Sequence, residues 1–333
     1  MKSAFNWHER PVLVTGATGI VGSWLCEALI ERGARVVAFV LDDDPSSRFY
    51  TEDIYQRTNI VRGDLSRIED CTRAINLHDV QVVFHLGAQT IVGTALRDPL
   101  ECFESNIRGT YNLLEAIRRL GDLVQATVIA SSDKAYGDSP VLPYTEDMPL
   151  NGKHPYDVSK SCTDLLSQTY ANTYGTRVSI ARCGNIYGGG DLNWSRIVPG
   201  TIRSLLLGDT PVLRSDGGPI RDYIYVRDVV DAYLTLAEAT ITGQHTGEAY
   251  NFSPQSQWNV LQIVEAIGRV MNIDAKPRIE ATAHAEIRNQ TLDATKARER
   301  LGWTPSWSLE DGLRDTVQWY RKHLAHVPMK VTT

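Results

Sequence analysis

No run of apolar residues in this chain approaches the roughly 20 residues a membrane-spanning helix needs. Cysteine is sparse. The five present, Cys26, Cys71, Cys102, Cys162 and Cys183, are odd in number and widely scattered, with no CxxC and no Cys/His cluster. That argues against a disulfide framework and against a zinc or other metal site, and it fits the reduced thiols of a cytoplasmic protein. A basic excess is also missing. The net charge of −6 argues against a nucleic-acid binder, while leaving room for local basic pockets that take a phosphorylated small molecule. The ten residues before the first strand-like run include Trp7, His8, Glu9 and Arg10, too short and too polar a stretch for a signal peptide. Low-complexity segments and fixed-period repeats are absent. Beyond about Leu324 periodicity fades, so residues 326–333 are expected to form a tail.

What is present is an ordinary globular composition, 42% hydrophobic and 22% charged, over 333 residues. That length suffices for one large core or two modest ones. Strand-like runs recur at 11–15, 35–40, 59–62, 81–86, 125–130 and 177–181. Helical spacing fills the gaps, notably at 20–32, 67–77, 100–120 and 156–174. Strands that are nearly all apolar and alternate with helices predict an α/β fold, a doubly wound parallel sheet covered on both faces. After Gly184 glycine and proline become denser, through Gly188-Gly189-Gly190 to Gly217-Gly218-Pro219, before helices return at 226–239 and 260–271. The expected division is a nucleotide-binding domain over 1–184, rejoined by about 221–252, and a smaller substrate-binding region from 185–220 and 253–325.

Two motifs carry chemistry. The first is Thr15-Gly16-Ala17-Thr18-Gly19-Ile20-Val21-Gly22, a GxxGxxG turn between a strand and a helix. Its glycines permit a tight turn and close approach of backbone to a pyrophosphate at the helix N-terminus. The second joins Ser131-Ser132-Asp133-Lys134-Ala135-Tyr136-Gly137 to Tyr156-Asp157-Val158-Ser159-Lys160. Tyr156 and Lys160 are four apart and share a helix face. An ammonium beside a phenol favours the phenolate, the base needed when a sugar alcohol loses a proton and a hydride. Asp133 and Lys134 suggest a second proton transfer. The bland alternative, a surface ion pair, competes with their place just after a buried strand, where sites of this fold gather.

Together with Gly63-Asp64-Leu65, Phe84-His85-Leu86-Gly87-Ala88-Gln89, Asn106-Ile107-Arg108-Gly109-Thr110, Arg182-Cys183-Gly184-Asn185-Ile186-Tyr187-Gly188, Arg221-Asp222-Tyr223 and Leu301-Gly302-Trp303-Thr304-Pro305, these motifs resemble the extended short-chain dehydrogenase/reductase family almost end to end. The resemblance implies a Rossmann-type domain, a nicotinamide cofactor and a nucleotide-sugar substrate. It assigns cofactor contacts to Gly16, Thr18, Gly19, Ile20, Val21, Gly22, Asp64, Leu65, Leu86, Ala88, Gln89, Asn106, Ser131, Tyr156, Lys160, Cys183 and Ile186. Val40 stands where many NAD-binding relatives carry Asp, and Asp42 is the nearest substitute. Asp42-Asp43-Asp44 would repel a 2′-phosphate, so NAD is expected over NADP, unless these acids form only a solvated loop.

Ser132-Asp133-Lys134 resembles the variant found in CDP-glucose 4,6-dehydratases, with GDP-mannose 4,6-dehydratases the nearest alternative. In that reading Tyr156 takes the proton of the sugar 4-hydroxyl, Lys134 the proton at C5, Asp133 protonates the departing 6-hydroxyl, and Ser132 holds the 4-oxygen. Asp133 must then hold a proton and Lys134 must be able to lose one; burial favours both neutral forms. Substrate contacts are expected from Ser132, Asn185, Arg196, Val198, Arg214, Arg221, Asn251 and Arg288. Of Arg182, Arg196, Arg214, Arg221 and Arg288, three should reach substrate, since Arg suits pyrophosphate. A 4-epimerase or uronate decarboxylase on the same scaffold needs no Asp-Lys pair. A non-catalytic dinucleotide sensor would usually have lost Tyr156 or Lys160. Two apolar stripes, Leu100, Phe103, Ile107, Tyr111, Leu114 and Ile117, and Val158, Cys162, Leu165 and Thr169, serve either as core or, as in this family, as a four-helix interface of a homodimer, with a tetramer as the larger alternative.

Overall fold

A computed structural model describes residues 5–282 and 287–326; of the expected tail, residues 327–333 lie outside the described residues. The first half alternates β1 (Pro11–Thr15), α1 (Ile20–Glu31), β2 (Arg35–Val40), a single turn α2 (Arg48–Thr51), β3 (Asn59–Arg62), α3 (Ile68–Leu77) and β4 (Val82–His85). Then come α4 (Val92–Arg97), α5 (Pro99–Phe103), α6 (Gly109–Arg119), β5 (Ala126–Ala130), α7 (Pro155–Tyr174) and β6 (Val178–Cys183). The second half holds β7 (Asn185–Tyr187), α8 (Ile197–Leu207), β8 (Val212–Leu213), β9 (Ile220–Tyr225), α9 (Val226–Ile241) and β10 (Ala249–Phe252). It closes with β11 (Gln257–Asn259), α10 (Val260–Met271), β12 (Arg278–Ile279), β13 (Asn289–Gln290), α11 (Thr295–Leu301) and α12 (Leu309–His326).

Seven strands form one parallel sheet in the order β10-β6-β5-β4-β1-β2-β3. Every residue of β1, β4 and β6 is buried, as sequences apolar on both faces require. Helices α1 and α9 pack on one face and α3 and α6 on the other, with α7 beside α6. Strand order reverses between β1 and β4, which opens a crevice at their carboxyl ends, the place where such sheets bind ligands.

The helical run expected over 100–120 is interrupted. Residues Glu104–Arg108 form a wide π turn between α5 and α6. The Asn106 carbonyl accepts from the hydroxyls of Thr110 at 2.6 Å and Thr163 at 3.2 Å, which draw it out of the regular ladder. Within 221–252, β10 forms the edge of the main sheet beside β6, but β9 does not join that sheet. It pairs with β7, β11 and β13 in a second, small sheet. Its seven-strand neighbour is reached through α9, whose buried face includes Val229, Val230, Tyr233 and Leu236. Helix α12 carries the chain past Leu324, where loose structure was expected. Among the described residues no helix is long and apolar enough to cross a membrane.

Candidate active site

The glycine turn lies at the sheet crevice. Gly16 has φ +67°, and a Cβ on it would stand 2.8 Å from Gly87 N, in the loop after β4. A Cβ on Gly22 would stand 2.1 Å from Gly16 O, so the loop and the start of α1 touch through backbone. Gly19 caps α1 without a side chain, which leaves the N–H end of the helix to an anion from outside. The Thr15 hydroxyl ties the two strand ends together by accepting from Leu86 N at 3.0 Å and Gly87 N at 2.9 Å. His85, a member of a motif but given no role, bridges Thr15 at 2.9 Å and Thr110 at 3.0 Å. Burial pushes its imidazole down to about 3, so it works as a neutral linker.

Asp42 is exposed two residues beyond the end of β2. Asp43 and Asp44 are committed elsewhere: Asp43 accepts from the Tyr50 hydroxyl and pairs with Arg62 at 2.9 Å, and Asp44 accepts from Ser46 N at 2.9 Å. Asp64 stands after β3, its carboxylate accepting from Ser66 N at 2.8 Å, and Leu65 packs against the cluster under α3 and α6. The Ser131 hydroxyl, at the end of β5, is buried and has no partner within the protein. An orphaned hydroxyl, a helix end without a side-chain cap and glycines pressed backbone to backbone fit a dinucleotide lying across the crevice.

Strand β5 then delivers the reactive groups. Ser132 Oγ accepts from Lys134 N at 3.2 Å, which caps a single 3₁₀ turn over Asp133–Tyr136, and donates to Asp133 Oδ1 at 3.0 Å. It also hydrogen-bonds the Tyr156 hydroxyl. Asp133 is buried and Lys134 partly so. Asp157 and Asp222 lie within the electrostatic reach of Asp133; burial raises both carboxyls, that of Asp222 to about 6, and Lys134 draws Asp157 back down. Tyr156 and Lys160 sit one turn apart on α7, which starts at Pro155, a residue whose fixed φ suits the first helical position.

Lys160 Nζ donates to Ala130 O at 2.8 Å, at the end of β5, and stands 6.0 Å from the centre of the Tyr156 ring. Burial lowers the Lys160 ammonium to about 8. Burial pushes the Tyr156 phenol up to about 12, against a downward pull from the Arg196 guanidinium and the Ser132 hydrogen bond. Arg196, from the second lobe, is thus a cation that acts on the phenol.

Several expected contact residues are spent inside the protein. The Asn106 amide accepts from Gln89 N at 2.7 Å and donates to Gln89 O at 3.0 Å and Ser159 Oγ at 2.9 Å. It binds the loop carrying Ala88 and Gln89 to α7. Asn251 is fully buried and accepts from the Tyr136 hydroxyl at 2.7 Å while donating to Tyr144 O at 2.9 Å. Arg221, also buried, donates to the carbonyls of Ile220, Ile287 and Arg288 at 2.6–3.1 Å. Val198 is a core residue in the first turn of α8. Arg182 points to the α7 side and pairs with buried Asp164 at 2.7 Å. Cys183 is buried against the Tyr233 hydroxyl, its thiol raised by burial to about 12. Asn185 and Ile186 remain partly exposed on β7.

The other arginines fall into two places. Arg196 pairs with Asp191 at 3.0 Å and reaches Thr90, in the loop after β4, at 3.3 Å; Arg214 donates to Ser195 O at 2.8 Å close by. Arg288 pairs with Asp216 at 2.6 Å and is exposed. Arg196 thus spans the cleft from the second lobe to the sheet.

A Rossmann-type sheet with a Tyr/Lys helix, a hydroxyl-Asp-Lys turn and a small second lobe defines a nucleotide-sugar enzyme of the short-chain dehydrogenase/reductase type. The chain belongs to the family described as GDP-mannose 4,6 dehydratase, whose profile matches residues 13–316. It is 30% identical over 332 residues to the CDP-glucose 4,6-dehydratase of Salmonella typhimurium, covering 95% of this chain and 91% of that protein. Among solved structures it resembles the UDP-glucose 4-epimerase of Thermotoga maritima with UDP-glucose, at TM-score 0.86 and 30% identity over 94% of this chain and 99% of that one. It also resembles the dTDP-glucose 4,6-dehydratase of Bacillus anthracis in complex with NAD, at TM-score 0.83 and 26% identity over 94% and 97%. The family therefore spans dehydratases and epimerases of nucleotide sugars.

Proposed function

We propose that this chain is an NAD-dependent nucleotide-hexose 4,6-dehydratase, with CDP-glucose the first candidate substrate and GDP-mannose the second. The supporting observation is the Ser132-Asp133-Lys134 turn, joined to Tyr156 by Ser132, with Ser132 and Asp133 buried and Lys134 partly so. An epimerase needs the Tyr156 end of this site but has no work for a second acid and base. Bound NAD would supply a hydride acceptor for sugar C4 and a hydride donor for C6. Tyr156 receives the proton of the 4-hydroxyl, aided by Ser132 and Arg196. With a ketone at C4 the C5 hydrogen is acidic, and Lys134 takes it. Asp133 gives its proton to the 6-hydroxyl, which leaves as water; Lys134 then gives its proton back to C5 as hydride returns to C6, and the product is a 4-keto-6-deoxy sugar. The exposed Asp42 next to the paired Asp43 makes the ribose end acidic, which favours NAD over its 2′-phosphorylated form.

Helices α5, α6 and α7 leave Leu100, Tyr111 and Leu165 exposed at 68%, 36% and 54%, a face suited to a second copy of the chain, and a homodimer is part of this proposal. The five free thiols suit a reducing cytoplasm.

The test offers the protein CDP-glucose, GDP-mannose, UDP-glucose and dTDP-glucose and weighs the products. Loss of one water from one of them supports the dehydratase; unchanged mass with inverted C4 moves the epimerase reading, favoured by the Thermotoga likeness, to the front. In Lys134→Met and Asp133→Asn the bound cofactor should still be reduced by substrate, without dehydrated product. Solvent deuterium should enter C5 more readily in Asp133→Asn than in Lys134→Met. Normal product from both variants refutes the assigned roles.

A further inference from the structure

The turn that carries Asp133 and Lys134 is only four residues long, Asp133–Tyr136. One 3₁₀ turn has no stability of its own. Its geometry must be imposed from outside, and the dehydratase reading needs that geometry held against Tyr156 on a different element.

The structure shows what holds it. Tyr136, the last residue of the turn, is driven inward to 2% exposure. Its ring lies 4.9 Å from that of Tyr144, and the Arg182 guanidinium stands 4.8 Å from its centre. Its hydroxyl accepts from Arg182 Nη1 at 2.7 Å and donates to Asn251 Oδ1 at 2.7 Å. Burial pushes this phenol up, so it keeps its proton and both bonds. Arg182 in turn grips Asp164 with a two-pronged fork, Nε to Oδ2 at 2.7 Å and Nη2 to Oδ1 at 2.9 Å. Asp164 is fully buried on α7, four residues beyond Lys160 and eight beyond Tyr156, on the same face of the helix. A second tie runs beside it, from Ser161 Oγ to Ala135 O at 2.9 Å.

We propose that Tyr136, Arg182 and Asp164 form the positioning unit of this site, fixing the elimination pair Asp133 and Lys134 relative to the hydride-transfer pair Tyr156 and Lys160. The kinetic part of this inference rests on the dehydratase reading; the mechanical part does not. Arg182 belongs to β6, so its guanidinium fastens the turn after β5 and the helix α7 to a common strand of the sheet. A buried ion pair is weak evidence for stability in itself. Here its fork is aimed, and the one guanidinium nitrogen left over is used on Tyr136 and on the Glu146 carbonyl at 3.2 Å. None of the three residues is placed to touch a sugar, and each acts through another.

The experiment uses Tyr136→Phe in the full-length protein, a change that leaves the ring against Tyr144 and removes only the hydroxyl. Substrate-driven reduction of the bound cofactor should stay within about threefold of wild type, while formation of dehydrated sugar falls about ten- to a hundredfold, the scale of a small misplacement of reacting groups. Hydrogen exchange gives the independent reading. The amides of Lys134, Ala135 and Gly137, now bonded to Ser132 and Lys134, should exchange about tenfold faster, with α7 and β6 unchanged. Arg182→Lys, which keeps a charge near Asp164 but loses the fork, should reproduce the loss of dehydrated product and the faster exchange in the turn, and should also speed exchange around Asp164 on α7. Equal losses in both chemical steps, or unaltered exchange across 132–137, overturn the proposal. If wild-type protein dehydrates no nucleotide sugar, the functional reading has failed, and the exchange result alone decides whether the unit holds the turn.

Discussion

Lys160→Met offers a test of site electrostatics that does not depend on substrate. Lys160 is 5% exposed, and its ammonium is displaced from an ordinary value of 10.5 to about 8 by burial. At about 1.4 kcal/mol per pK unit this corresponds to a penalty of about 3 kcal/mol on the folded, cofactor-free protein. The sign follows from proton counting. Between pH 8 and 10.5 the unfolded chain binds more protons at this site than the folded one, so stability rises with pH across that window. The penalty is fully present below about pH 8 and gone above about 10.5. Methionine removes the charge but leaves Ala130 O without its 2.8 Å donor, which costs about 1–3 kcal/mol at every pH. The variant should therefore be at least about as stable as wild type near pH 7 and less stable near pH 10.5. The change in the gap between the two pH values, about 3 kcal/mol, is free of the hydrogen-bond cost. Urea unfolding of both cofactor-stripped proteins at a series of pH values measures it. A gap that stays constant from pH 7 to 10.5 would refute the reasoning, and would mean that water or a counter-charge reaches the ammonium.

Two further outcomes follow from the site and from its outer face. Tyr156→Phe removes the phenol and its bond with Ser132, and turnover should fall at least about a hundredfold at unchanged circular dichroism, the range of general-base contributions. Near-normal turnover would sink its role as base. Leu100→Glu with Leu165→Glu places charge on the exposed apolar face of α5 and α7; sedimentation should show a dimer for the parent chain and a monomer for the double variant, and an unchanged mass would discard that face as the interface.

Much of this protein is written along the chain. The strands at 11–15 and 35–40 carry their own borders, because β-branched runs buried on both faces end where glycine or charge begins. The glycine turn is partly local: Gly22 is required by the backbone of Gly16 and Ala17 a few residues away, whereas Gly16 is pressed against Gly87, which only the folded sheet brings near. The spacing of Tyr156, Lys160 and Asp164 on one face follows from helix geometry alone. What sequence could not show is which partner each polar group meets. An Asn in a family motif reads the same whether it faces a cofactor or, like Asn106, closes a loop onto Ser159. Asn251 and Arg221 likewise carry polar ends that satisfy buried backbone and the Tyr136 hydroxyl, since burial obliges such groups to find partners inside. The pairing of β9 with β7 is set by a crossing of the chain after Gly184, and the break at Glu104–Arg108 by two threonine hydroxyls, one of them on α7. Periodicity records how deeply a residue is buried; distance and direction between residues far apart in the chain exist only once it has folded. That is why the pair Tyr156 and Lys160 was visible in the sequence, while the roles of Arg196 beside the phenol and of Arg182 behind the turn emerged only from the tertiary structure.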